Sequence, residues 1–463
     1  METEGLQALS RAGGAPPAPA PARAPRSFAD AAASVRSTTL ANGLTIIVWP
    51  DHNIPNIALS NWVRVGSRNE GSGTSGLAHF FEHMMFNGSS RHPQGDFDRL
   101  MEAQGASNNA YTSQDVTVYQ DWFPRSALEL VFELESDRLA NLAFVPELVE
   151  NERKVVTSER RLRIEDSNAA LLEEQVQATA FLAHPYRIPI IGWPSDIQSW
   201  TLADLQNFFH TYYAPNNCTL ILVGAVDADQ VFALAQEYFA AMPAREPPPP
   251  VRTREPEQLG ERRVVLQRPG LNPLVHCAYH AIAAADPLEP ALNILQTILV
   301  GGHAARLHRA LVEEKQLAVA IGGGWSEGFD ANIFVLHAVL PEGGSAAEFE
   351  QALHAELAAI VDNGVTEQEL RRAKNMAAAD FWRAVSTIDG KARLLGEYAL
   401  MRGDYKRLFA APEAYESVTR ADVARIARQV FNPDKRTVGV LLPTGGEETY
   451  HDDAGFQPGA ALR

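Results

Sequence analysis

Cysteine is almost missing from this sequence: Cys218 and Cys277 are the only two in 463 residues, far apart and in unrelated contexts. That excludes a disulfide framework and a Cys-type zinc knuckle, so any metal must sit on His and carboxylates. Positive charge is scarce as well. With 40 Lys and Arg against 57 Asp and Glu, the formal charge is −17, which argues against a generic nucleic-acid binder and would steer basic peptides toward the chain. No run of about 18 apolar residues occurs, which excludes a membrane-spanning helix. No apolar stretch precedes the Ala/Pro-rich segment Ala15 to Pro25, so no secretory signal is present as written. A cytoplasmic location is expected, or a periplasmic one if a signal is missing from this start.

What is present is ordinary globular composition, 46% hydrophobic and 21% charged, over a length suited to two or three domains. The run Gly43 to Trp49, rich in β-branched residues, a break at Pro50 to Asn53, and Ile57 to Val65 predict a hairpin. Amphipathic spacing predicts helices over Ala127 to Leu142 and Val145 to Ile164, and a strand over Cys218 to Val223 precedes a helix over Ala228 to Phe239. Pro247 to Pro250 then interrupt any regular structure. Beyond them the order of strands and helices recurs. The expectation is an α+β fold of two homologous α/β-sandwich domains at 36–243 and 262–445, joined by a Pro-rich linker at 244–261. A disordered arm is expected at 1–35 and a tail at 446–463.

One cluster carries chemistry. In His79-Phe80-Phe81-Glu82-His83 the two His lie one helical turn apart on the same face, so both imidazoles can converge on one ion. Glu82 can aim a carboxylate at a ligand of that ion, in the reversed HxxEH order of zinc hydrolases. Thr74, Ser75 and Gly76 precede this helix, and a Ser or Thr there can cap its exposed amides. A catalytic zinc needs a third protein ligand. Glu152 and Glu159 sit seven residues apart on one predicted helix and share a face. Either one binds metal while the other orients an imidazole, or both belong to a solvated charged helix.

Further segments extend the pattern: Asn42-Gly43-Leu44, Val65-Gly66-Ser67, Gly76 to Met84 with Phe86 and Gly88, Asn109 to Thr112, Glu152 to Val156, His184-Pro185-Tyr186, Ile191-Gly192, and Val365 to Leu370. Together they resemble the pitrilysin-like, or inverzincin, zinc metallopeptidases, in the processing-peptidase-like branch, from about Thr39 to Thr444. The resemblance implies one zinc ion per chain, ligated by His79, His83 and Glu159, with Glu82 as the catalytic base and Glu152 behind a ligand His. It implies that Asn109, Ala110 and Tyr111 lie on the edge strand that takes up a peptide or unfolded polypeptide substrate. Complete members also carry an Arg and a Tyr in the second half, and here those positions are Val312 and Val319. A homologous partner subunit, carrying the missing pair across an enclosed chamber, is therefore expected. The other readings are local substitution by Arg306, Arg309 or Lys315, and a non-catalytic scaffold. His303 and His308 are placed near the altered region, while His184, His276 and His280 are expected to be structural.

Overall fold

A computed structural model describes residues 28–445. Two mixed sheets organise it. The first contains β1 (Arg36–Thr39), β2 (Thr45–Pro50), β3 (Asn56–Val63), β4 (Ser107–Thr112), β5 (Thr117–Pro124) and β6 (Cys218–Gly224), in the order β1-β2-β6-β3-β5-β4. The second contains β7 (Arg262–Arg268), β8 (Leu274–His280), β9 (Ala320–Trp325), β10 (Ile333–Val339) and β11 (Arg436–Pro443), in the order β7-β11-β8-β10-β9. Apart from β1 the two orders are the same. In each sheet the last strand in sequence inserts between the first two, pairing parallel with one (β2 or β7) and antiparallel with the other (β3 or β8). The expected duplication is therefore real at the level of topology.

Apolar patterning explains the layering. Leu220, Ile221, Leu222 and Val223 of β6 are all buried, as a central strand covered on both faces requires. One face of the first sheet packs on its own helices, with Ile46, Val48 and Leu59 against Phe80, Phe81 and Phe132. Its other face is covered from the opposite half: Ile388 and Leu395 of the helix Ile388–Gly396 lie against Ile47, Trp62 and Ile221. The second sheet reciprocates, with Leu172 and Val176 of the first-half helix Asn168–Ala180 packed on Leu274, Ala278 and Leu441. Each half thus lends one helix to the other. Close approach at two glycines permits this, because a Cβ on Gly396 would overlap the Trp62 ring and one on Gly439 would overlap Val176.

The expected arm needs correction where it can be seen. Residues 1–27 lie outside the described residues, but Phe28–Ala31 is helical, and the Phe28 ring meets Phe381 edge-on at 5.3 Å and Phe409 at 5.1 Å. An aromatic pocket between the halves orders it. The expected tail, 446–463, also lies outside the described residues. Residues 243–259 have neither helix nor strand. They are nonetheless pinned, since Glu255 accepts from the backbone N–H of Leu182, Ala183 and His184 at 2.8–3.0 Å.

Candidate metal centre and substrate edge

The HxxEH segment lies on the helix Leu77–Met84. Leu77, Ala78, Phe80, Phe81 and Met84 face the core, with Phe81 stacked on Phe208 at 5.5 Å, which leaves His79, Glu82 and His83 to share the remaining face. The expected Ser/Thr cap is not used. Gly76 holds the N-cap position at φ +88°, a left-handed conformation that favours glycine, and no side chain caps from there. Glu70 does that work instead, accepting from the amides of Gly76 and Ala78 at 2.7 Å each. Ser75 turns away and donates to Asp196 at 2.6 Å. A carboxylate at a helix N-terminus also answers its partial positive charge.

The helix Pro146–Arg160 packs alongside and supplies both acidic residues. Glu159 Oε2 lies 3.6 Å from His79 Nε2 and 3.2 Å from His83 Nε2. One donor atom from each of the three side chains falls within 4.8 Å of the others. Glu152 Oε1 stands 2.8 Å from His83 Nδ1, and its Oε2 accepts from Asn87 at 2.7 Å, while Asn87 in turn accepts from Gln94 at 2.8 Å. That relay fixes the imidazole with Nε2 toward Glu159. Sequence reasoning missed Asn87, Gln94 and Glu70, since nothing in their spacing marks them. Arg160, buried one residue on, forms a two-pronged pair with Glu174 at 2.8 and 2.9 Å, locking this helix to the exchanged helix Asn168–Ala180.

The electrostatics suit a cation. Burial pushes His79 down to about 4. Burial also works against charge on His83, but Glu152 and Glu159 overcome it and raise it to about 9. Against the cost of burial, His83, His79 and Arg163 hold Glu159 below the usual carboxylate range. Glu82 goes the other way: burial raises it, opposed by the Thr112 hydroxyl and His83. Glu159 Oε2 and Glu82 Oε2 are buried and make no hydrogen bond. Two imidazole nitrogens converging on an orphaned carboxylate oxygen make a donor set that fits zinc.

β4 forms the outer edge of the first sheet and pairs on one side only, with β5, among the described residues. Asn109 is exposed on it, Ala110 packs toward the core that holds the HxxEH helix, and Tyr111 lies on the opposite face, edge-on to Trp62 at 6.3 Å. The strand ends at Thr112, beside Glu82. In the second half, Val312 sits in the π-helical turn His308–Glu314, and Val319 is exposed just before β9. The only metal-capable cluster of His, Cys, Asp or Glu among the described residues is that of His79, His83 and Glu159.

Comparison with known proteins agrees with this layout. Residues 47–193 match the profile described as Insulinase (Peptidase family M16), and residues 199–377 match the one described as Peptidase M16 inactive domain. Zinc protease PqqE of Helicobacter pylori is 30% identical over 415 residues, which cover 88% of this chain and 92% of that protein. The chain belongs to peptidase family M16. A further relative, a zinc protease of Mycobacterium leprae described as uncharacterized, is 28% identical over 90% of this chain and 94% of its own length. Among solved structures, a protease from Helicobacter pylori superposes with TM-score 0.85 at 29% identity, covering 88% of this chain and 99% of that one. A Pseudomonas fluorescens structure titled as a peptidase M16 inactive domain shares the fold, with TM-score 0.82 at 19% identity over 89% of this chain and 98% of its own. The M16 assignment accounts for the unequal halves: metal-capable residues gather in the first, and the second matches a domain described as inactive. No helix among the described residues is long and apolar enough to cross a membrane.

Proposed function

We propose that this chain is a zinc-dependent endopeptidase acting on peptides or unfolded polypeptides, with one zinc ion per chain, and that a homologous partner subunit supplies the Arg and Tyr replaced here by Val312 and Val319. The observation that carries the reading is the convergence of His79, His83 and Glu159 beside Glu82, at the end of a sheet edge that is unpaired among the described residues. His79, His83 and Glu159 would hold the zinc, which would supply a water of lowered pKa and a Lewis acid for a peptide carbonyl. The remaining work falls to the protein. Glu152 keeps the proton on His83 Nδ1, so that Nε2 is free to ligate. Glu82 accepts a proton at its carboxylate from the attacking water and delivers it to the leaving amine. The free edge of β4 takes the substrate as an added strand, so affinity comes from main-chain hydrogen bonds, and the Asn109 amide adds a side-chain contact to the substrate backbone.

Two features of the second half support the partner reading. Neither Val312 nor Val319 has a donor to offer a developing oxyanion. Arg306 is taken up by Glu369 at 2.8 and 2.7 Å, Lys315 by Glu356 at 2.6 Å, and Arg309 lies 3.6 Å from Glu314. The test is metal analysis and peptide cleavage by the chain alone and with its homologous partner. Glu82→Gln should retain zinc while hydrolysis falls by about two to four orders of magnitude. Near wild-type cleavage by that variant would sink the mechanism, and vigorous cleavage by the chain alone would sink the partner.

A further inference from the structure

The helix that carries Glu152 and Glu159 ends at Arg160 and widens into π-helical winding over Arg161–Glu165, closed by the Asp166 amide donating to the Arg161 carbonyl at 2.9 Å. Such wide turns recur at functional sites. Three arginines lie here, and they do different things. Arg160 is buried in its pair with Glu174, and Arg161 faces Asp166 at 3.7 Å. Arg163 alone turns toward the metal-ligand cluster, with Nε 3.0 Å from Glu159 Oε1, the oxygen that does not face the imidazoles. Its side chain is 70% exposed, and its Nη atoms form no other ion pair among the described residues. Leu162 beside it is 57% exposed. The guanidinium is therefore anchored by one edge, with the other open to solvent at the rim of a site that holds Glu82, Glu152 and Glu159.

An anchored guanidinium with two free parallel N–H groups matches the geometry of a carboxylate better than any other side chain does. We infer that Arg163 reads the substrate by taking a carboxylate that the peptide presents next to the scissile bond. An Asp or Glu side chain there favours cleavage, and a chain-terminal carboxylate offers the same chemistry. The inference rests on the peptidase reading above and sharpens its substrate class. It also runs against the overall charge of −17, which taken alone favours basic peptides. The bland alternative is a solvated i,i+4 ion pair on a helix surface, which would have no influence on selectivity.

The test uses the zinc-loaded full chain, with its homologous partner if cleavage requires it. Fluorogenic peptides with amidated C-termini carry Glu, Gln or Lys at positions flanking the cleaved bond, and a matched set carries free C-termini. The expected preference in kcat/KM for Glu over Lys is about tenfold or more, the scale of one charge-assisted contact. Arg163→Gln should bring it to about one, Arg163→Glu should invert it, and Arg163→Lys should keep part, all with zinc content unchanged. A preference limited to free C-termini and lost in Arg163→Gln assigns the carboxylate to the chain end. An unchanged preference in Arg163→Gln, no preference in the wild type, or zinc loss in Arg163→Gln overturns the inference. If no cleavage occurs at all, the peptidase reading fails by itself. The Glu and Lys peptides then report through anisotropy on zinc-loaded Glu82→Gln protein, where a Glu-over-Lys binding preference abolished by adding Arg163→Gln supports the inference and an unaffected one overturns it.

Discussion

The helices Leu77–Met84 and Glu289–Val300 occupy corresponding places in the two halves, following β3 and β8 in sequence and packing on their own sheets. The first keeps one face clear of the core and sets two His and a Glu there. The second runs from Ala291 to Val300 without His, Asp or Glu, and Leu292, Ile294, Leu295, Ile298 and Leu299 are all buried. One helix divides its residues between packing and chemistry, while the other commits its apolar residues to packing. The same strand order therefore hosts a metal-capable cluster or a plain core, and the choice lies in which side chains a single helix turns away from its sheet.

The sharpest way to break this comparison is to make the first helix resemble the second at its ligands. His79→Ala or Glu159→Gln should lose zinc and reduce cleavage to background, because two remaining donors leave a catalytic zinc one protein ligand short. Full zinc occupancy of either variant in metal analysis would show that the ion sits elsewhere. A smaller effect is expected one layer out. Glu152→Gln should weaken zinc by about 10- to 100-fold, the usual cost of losing the carboxylate behind a ligand His, measured by competition with a chelator.

Stability probes the exchanged helices in the same spirit. A methyl at Gly396 meets the rigid Trp62 ring, and one at Gly439 meets Val176. Gly396→Ala and Gly439→Ala should each destabilise the fold by about 1–3 kcal/mol, the range for overpacking, despite the better helix propensity of Ala at 396. Gly396→Ala should be the worse, and an unchanged Tm for both would mean the two halves do not depend on this close packing.

The smallest expected effect is a pH dependence confined to the first half. In metal-free protein His83 is raised from 6.5 to about 9. Its protonation therefore adds stability that is complete below about pH 6.5 and fades as pH rises through about 9. Zinc must displace that proton, so uptake near neutral pH should release protons and the apparent affinity should rise with pH. Calorimetry in buffers of different ionisation heats measures the release, and zero proton release would contradict the assigned role of His83.

Much of the site was legible because it is local. His79, Glu82 and His83 share a helix face by spacing alone, and Glu152 and Glu159 do so on theirs. Which of the two carboxylates meets the imidazoles was not legible from spacing, since that depends on how two helices cross. The Glu70 cap was hidden for the same kind of reason: it acts from a loop outside the helix it caps. The helix Asn168–Ala180 escaped notice because the apolar stripe it buries is thin, Leu172, Val176 and Ala180, one residue per turn, and its partner sheet lies in the other half.

By itself the sequence determined the duplicated α+β plan, the HxxEH helix, the cysteine-free ligand chemistry and the absence of the second-half Arg and Tyr. The first three follow from periodicity and residue type, which act over a few neighbouring residues, and the last follows from the resemblance to the family. Only the tertiary structure decided that Glu159 Oε2 meets both imidazoles, that Glu152 is braced by Asn87, that each half covers the sheet of the other, and that Arg163 faces the cluster of His79, His83 and Glu159 while Arg160 and Arg161 do not. Those outcomes depend on the relative rotation of packed helices, which core side chains far apart in sequence fix together.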